Sequence, residues 1–338
     1  MTRRFNPSSW PISSRFHLKG LCAMPFSMIP TNASVAYQGY SRRSWLKRSL
    51  SALGLMAAGQ SRPPVIQAAA QGQSWIAFVS DTHIAADPSK TNHNLNMTEN
   101  LKKTVRQILA EAIPPKAVLI DGDLALADGQ KGDYVQLMQL LAPLTSAGIP
   151  IHLALGNHDN RENFREILGD SDLIKSGRVT AIENHHTSDL TIAGLRFLIL
   201  DSLQRPNFTP GAIGADQAQW LAQTLSNQTD TPTIVYVHHN PDLKTDKALS
   251  DTKRLYDAIL PSLQVKAVVF GHTHVWNPQG QHEGLKLINI PAVGYPHNPV
   301  QPIGWTKFVP IQGGAEVTLS SLDPKHAAHG VTQLLNWR

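Results

Sequence analysis

Trp75-Ile76-Ala77-Phe78-Val79-Ser80-Asp81-Thr82-His83 decides the architecture. Five apolar residues in a row, with no helical period, read as a short strand covered on both faces. The run ends in an acid and an imidazole. The same order recurs four times. Ala117-Val118-Leu119-Ile120 leads into Asp121-Gly122-Asp123, and Pro150-Ile151-His152-Leu153-Ala154-Leu155 into Gly156-Asn157-His158-Asp159. Thr233-Ile234-Val235-Tyr236-Val237 leads into His238-His239, and Ala267-Val268-Val269-Phe270 into Gly271-His272-Thr273-His274.

Helical patterns separate these strands, so the fold class is α/β. Thr98 reads as an N-cap before Leu101, Val105, Ile108 and Leu109, and Pro114-Pro115 ends that helix. Further helices are expected over 134–146, from about 161, over 215–226 and over 247–260. Two alternating segments, 190–193 and 195–200, read as antiparallel strands, and the last sixty residues as short strands with Gly and Pro turns. In open α/β sheets ligands bind beyond the carboxyl ends of the strands. Five polar clusters in five such places should therefore meet.

The formal charge of +5 is unevenly spread. Residues 1–70 hold nine Lys and Arg and no acid, which leaves 21 basic against 25 acidic residues, about −4, for the body at 71–338. A nucleic-acid surface therefore loses its support, since it needs clustered positive charge on the folded body. Cys22 is the only cysteine and lies in the leader, so the body has no disulfide and no thiolate ligand. That body carries 14 of the 15 histidines.

The leader, 1–70, reads as an N-terminal extension with an expected export signal. Ser41-Arg42-Arg43-Ser44-Trp45-Leu46-Lys47 resembles the twin-arginine motif. An apolar stretch follows at 50–58, too short to span a bilayer, and then the small-residue exit Ala68-Ala69-Ala70. The expected partner is the twin-arginine translocation machinery, the expected location periplasmic or secreted, and no stable membrane anchor is expected.

Taken as one site, Asp81, His83, Asp123, Asn157, His238, His272 and His274 offer nitrogen and oxygen donors without sulfur, which suits Fe, Mn or Zn. Asp123, with two carboxylate oxygens, can be shared by two ions. Such a pair lowers the pKa of a bridging water and clamps a phosphate. His158 is placed to stabilise the transition state or to protonate the leaving group. Arg161 either meets a phosphate oxygen or lies on the surface, and His239 either lines the pocket or is solvated. His93 is a weaker candidate for approaching the substrate. Asp121 is expected to support its neighbours, and His152, His185 and His186 to be structural or exposed.

Asp81-x-His83, Gly122-Asp123, Gly156-Asn157-His158-Asp159, His238-His239 and Gly271-His272-x-His274 resemble the five ordered blocks of the calcineurin-like metallophosphoesterases. The resemblance covers roughly residues 75–291. It implies a four-layer α/β/β/α sandwich, two mixed central sheets flanked by helices. It also implies two metal ions, one held by Asp81, His83, Asp123 and His274, the other by Asp123, Asn157, His238 and His272. His158 becomes the catalytic histidine, oriented by Asp159. The family commonly has His-His-Pro where this chain has His238-His239-Asn240-Pro241, which leaves the ligand open between His238 and His239, with His238 preferred.

Residues 156–165 are similar to the branch containing class III cyclic nucleotide and glycerophosphodiester phosphodiesterases. The implied reaction is hydrolysis of small phosphoesters, foremost diesters, by a metal-bridging hydroxide. A broad phosphomonoesterase or nucleotidase is the alternative on the same site. An inactive binding scaffold is the alternative from another class, but such a scaffold should have lost ligands, and none is missing here.

Overall fold

The computed structural model describes residues 73–169, 182–227 and 230–338. The expectations for the leader lie outside the described residues. Strand β1 (Ile76–Ser80) is buried along its whole length. Its side chains alternate between two apolar clusters. Ala77 and Val79 join Val105, Ile120 and Leu137, while Ile76 and Phe78 join Leu119, Phe197 and Tyr236. A strand covered on both sides has no solvent face to hold a polar residue, hence the unbroken apolar run.

In chain order there follow β2 (Thr91–Asn92), β3 (Leu95–Asn96), α1 (Met97–Leu109), β4 (Val118–Asp121), α2 (Lys131–Ser146), β5 (Ile151–Ala154) and α3 (Arg161–Leu168). Next come β6 (Ser188–Ile192), β7 (Leu195–Ile199), α4 (Gly214–Asn227), β8 (Thr233–Tyr236), α5 (Thr252–Ile259), β9 (Val265–Phe270), β10 (Asn277–His282) and β11 (Leu285–Asn289). The described chain closes with β12 (Gly304–Ile311), β13 (Gly314–Ser321) and β14 (Thr332–Asn336).

Two six-stranded sheets result, ordered β14-β13-β12-β1-β4-β5 and β10-β11-β9-β8-β7-β6. Both are mixed. Strands β1, β4 and β5 are parallel, as are β7, β8, β9 and β11, with antiparallel strands outside them. The sheets face each other across Phe78, whose ring lies 4.8 Å from Phe308, 5.6 Å from Tyr236 and 6.1 Å from Phe197. Helices α1–α3 cover the outer face of the first sheet, and α4 and α5 that of the second. This is the expected four-layer sandwich.

The register makes the parallel strands end flush. Ser80 pairs with Asp121 and Asp121 with Ala154. The residues that follow, Asp81, Asp123 and Asn157 among them, therefore emerge on one rim.

Three helix starts differ from the sequence expectation. Asn96, not Thr98, caps α1, its side chain accepting from the Glu99 amide at 2.8 Å. Helix α2 begins three residues early, where the Asp133 carboxylate accepts from the Gln130 amide at 3.0 Å. Helix α5 begins at Thr252 rather than 247, with Asp251 in the N-cap position but its side chain turned to another helix. Its carboxylate accepts from the amides of Ile213 (3.0 Å) and Gly214 (2.9 Å), capping the start of α4.

Candidate active site

The chain leaves its strands in an unusual way. Asp81, His83, Asp123, His272 and His274 all have left-handed backbone, with φ of 51°, 48°, 45°, 64° and 53°. Each such non-glycine residue costs on the order of 1 kcal/mol, and such outliers gather at functional sites. The kinks turn the chain at the rim, so alternate side chains lean over the strand ends. Close approach also explains two glycines. A Cβ on Gly156 would strike the carboxylate and amide of Asp123, and one on Gly271 would strike the Ser80 hydroxyl and lie 2.6 Å from Asp81 Oδ2.

Two groups of donors form. In the first, Asp81 Oδ1 lies 3.2 Å from His274 Nε2, which lies 3.1 Å from His83 Nε2. In the second, Asp123 Oδ2 lies 3.3 Å from His238 Nε2, and His272 completes the group. Asp123 Oδ2 is also 3.9 Å from His83 Nε2, so this one oxygen faces both groups. Each group takes residues from both sheets.

The opposite atoms of these side chains are held from behind. His274 Nδ1 donates to the Tyr295 carbonyl at 2.5 Å, His238 Nδ1 to that of Asp121 at 2.7 Å, and His272 Nε2 to that of Lys247 at 3.0 Å. These bonds fix the tautomers, leaving the inward nitrogens with a lone pair. Asp81 Oδ2 accepts from the Ser80 hydroxyl and the His272 amide, and Asp123 Oδ1 from the His158 amide at 2.8 Å. Among the described residues, Asp81 Oδ1, His238 Nε2 and Asn157 Oδ1 are buried without a hydrogen-bond partner. An orphaned buried polar atom costs about 1–3 kcal/mol. Several converging on one spot fit cations, and a nitrogen–oxygen set fits borderline metals.

The charge states agree. Burial alone would raise the carboxyls of Asp81 and Asp123, yet the imidazoles of His274 and His238 beside them hold both well below the usual range. Burial pushes His83 down to about 3 and His272 to about 4, so both are neutral, as ligands must be. His238 is the exception: burial disfavours its charge, but the adjacent Asp123 carboxylate outweighs this and raises its pKa, so it must give up a proton to serve as a ligand.

The calcineurin-like phosphoesterase pattern matches residues 74–276, over half the chain. The chain belongs to that family. It is similar to the cAMP/cGMP dual specificity phosphodiesterase of Mycobacterium tuberculosis, at 28% identity over 77% of this chain and 79% of the relative. It is also similar to a probable cyclic nucleotide phosphodiesterase of Synechococcus, at 30% identity over 68% of this chain and 85% of the relative. A dimetal phosphatase from Danio rerio shares the fold, with a TM-score of 0.60 at 13% identity over 78% of this chain and 99% of that one.

Other expectations about this phosphoesterase need correcting. Asp159 does not orient His158. Its carboxylate accepts from the amides of Leu124, Ala125 and Gly156 and from the Tyr134 hydroxyl, which ties down the turn carrying Asp123. The His158 ring is held instead by the Ala127 carbonyl, 2.6 Å from Nδ1. One of its ring nitrogens still lies within 4.8 Å of ligand atoms of His83 and Asp123.

His239 is neither in the pocket nor solvated. It is fully buried, with Nδ1 2.7 Å from the Ser202 hydroxyl and Nε2 2.8 Å from the Thr209 carbonyl. With both nitrogens engaged there, the inward position falls to His238.

Arg161 points away from the site. Its guanidinium forks onto the buried Asp201 at 2.6 and 2.9 Å and reaches the Leu203 carbonyl. Arg161→Ala should therefore destabilise the fold by about 1.5–3 kcal/mol, the worth of hydrogen bonds to a charged group. KM should stay within about twofold, since no phosphate contact is lost. Denaturant unfolding beside steady-state kinetics checks this, and a large rise in KM at unchanged stability would restore the substrate-contact role.

The donors open into a cavity of about 470 Å³, lined also by Thr209, Asn240, Thr245, Lys247 and His297. His297 was missed in the sequence. Its ring stacks on His274, 3.8 Å between centroids and 9° between planes. Tyr295 is sandwiched between His83 at 4.7 Å and His93 at 4.9 Å. The sequence signal was weak, because Leu285–Asn289 is interrupted by Lys286 and is followed by the apolar Ile290-Pro291-Ala292-Val293 rather than by a polar cluster. Strand β11 pairs parallel with β9, and that brings Tyr295 and His297 to the same rim.

Proposed function

We propose that this phosphoesterase hydrolyses phosphodiesters at a dinuclear metal centre. Asp81, His83, His274 and Asp123 would hold one ion, and Asp123, Asn157, His238 and His272 the other. The observation that carries the reading is the oxygen of Asp123 that faces two donor groups, beside which Asp81 Oδ1, His238 Nε2 and Asn157 Oδ1 lack partners among the described residues. Iron, manganese or zinc suits these donors. When bound, the ions supply positive charge that acidifies a water and neutralises phosphoryl oxygens.

The chain's own residues do the rest. Buried Asp81 and Asp123 keep their charge and fix the geometry. His158 donates Nδ1–H to the Ala127 carbonyl, which steadies the ring; with Nε2 also protonated, it would give that second proton to the departing alcohol oxygen. The preference for diesters is supported by the naming of the relatives above. After loading with manganese, iron or zinc, the protein should turn over bis(p-nitrophenyl) phosphate with a higher kcat/KM than p-nitrophenyl phosphate. The reverse order would point to a phosphomonoesterase.

The same proposal places the enzyme outside the cytoplasm, exported folded by the twin-arginine route. Arg42-Arg43 and the apolar and small-residue segments that follow support it. A reporter fused behind residues 24–74 should be exported, and Arg42→Lys with Arg43→Lys should block that export. Export unchanged by the double substitution would remove the twin-arginine reading.

A further inference from the structure

The cavity above the donors is polar throughout. Beyond the proposed ligands, His158 and His297, its walls are Thr209, Asn240, Thr245, Lys247 and Thr273. No aliphatic or phenyl side chain is among these described residues, so a substrate gains little here by burying carbon and keeps its polar groups hydrogen-bonded. One wall is also charged. Among the described residues lining the cavity, Lys247 is the only Lys or Arg, and Asp123 the only carboxylate.

Lys247 is rooted firmly. Its carbonyl accepts from His272 Nε2 at 3.0 Å, and its amide donates to the Thr245 hydroxyl at 3.2 Å. The next two residues, Ala248 and Leu249, are buried. The side chain of Lys247 is exposed and, among the described residues, forms no ion pair. Asp242 and Asp246, the acids of the same loop, line other cavities.

Position decides what this cation can meet. One nitrogen of the His272 ring faces the donor group and the other faces Lys247. The ring therefore stands between the Lys247 backbone and the place of the scissile phosphoryl group. A long side chain rooted on the far side of that ring serves the part of the substrate that projects past it. An ammonium is a point charge with rotatable donors, so it accepts a carboxylate or a phosphate alike.

We infer that Lys247 is a specificity residue, pairing with an anionic group, a carboxylate or a second phosphate, on the alcohol portion of the diester. The inference rests on the phosphodiester reading and narrows it to substrates that carry negative charge beyond the scissile phosphoryl group.

The test uses three diesters with one leaving group, ethyl, 2-carboxyethyl and 2-phosphonoethyl p-nitrophenyl phosphate, on the metal-loaded full chain. At least one charged ester should exceed the ethyl ester in kcat/KM by about fivefold, the upper range for an ion pair open to solvent. The ester that gains more names the anion. High salt should shrink the gain. Lys247→Ala should remove it, Lys247→Glu reverse it and Lys247→Arg keep it, all with metal content retained, because His272 is held by the main chain. Lys244→Ala, which removes a charge from the same loop outside this cavity, should leave the gain in place. Calorimetric binding of ethylphosphonate, 3-phosphonopropionate and 1,2-ethanediphosphonate should show the same dependence on Lys247 without turnover. A gain that is absent, or untouched by Lys247→Glu, would overturn the role of Lys247, while turnover of the ethyl ester would keep the diester reading. Lys247-dependent phosphonate binding with no ester turned over would support the anion contact and sink the diester reading.

Discussion

Asp123→Ala should empty the centre. The substitution removes the oxygen that faces both donor groups, 3.3 Å from His238 Nε2 and 3.9 Å from His83 Nε2. It also leaves the His158 amide without its acceptor. Loss of a mere outer partner of a ligand costs roughly 10–100-fold in affinity. Loss of a shared ligand should exceed that for both ions, so elemental analysis after gel filtration should find little metal, and diesterase turnover should fall to background. Asp123→Asn retains the volume and sharpens the test. A variant that kept its full metal content would show that the two groups do not share this carboxylate.

His158→Ala should give the opposite pattern, with metal retained and rate lost. Its Nδ1 is occupied by the Ala127 carbonyl, and it enters the donor region from the side of His83 and Asp123. Loss of a positioned general acid costs about 10²–10⁴-fold in rate. The drop should be smaller for a p-nitrophenyl ester, whose leaving group needs no proton, than for an alkyl ester. A fall of equal size for both esters would assign His158 to holding the phosphoryl group instead. Metal loss would make it a ligand.

Much of this was legible in the chain because each strand announces itself twice, by an apolar run and by the polar cluster at its end. The pattern placed Asp81, Asp123, Asn157, His238, His272 and His274 on one rim before any contact was known. What escaped was non-local. Whether Leu285–Asn289 runs parallel to its neighbour depends on pairing with β9, and nothing in its own residues says so. That hid Tyr295 and His297. Helix α5 starts later than its sequence suggests, and the non-local role of Asp251, capping two amides at the start of α4, is equally invisible in its own neighbourhood. The roles of Asp159 and Arg161 were misjudged for a related reason. Proximity in sequence to His158 suggested shared chemistry, whereas Asp159 braces a turn and Arg161 braces Asp201.

Each donor group draws on both sheets, Asp81, His83 and Asp123 from the first and His238, His272 and His274 from the second. Between those sheets lies an apolar interior, crossed by the hydrogen bond from the Tyr236 hydroxyl to the Leu119 carbonyl. The body has no cysteine with which to stitch its layers together. A pair of ions seated at the seam would act as an inorganic cross-link, fastening one layer to the other at the rim where kinked backbone leaves the sandwich least regular. Ligand binding of this kind stabilises the native state by an amount that grows with the logarithm of the free metal concentration relative to its dissociation constant. Chelation would then loosen the protein's architecture as well as silence its chemistry.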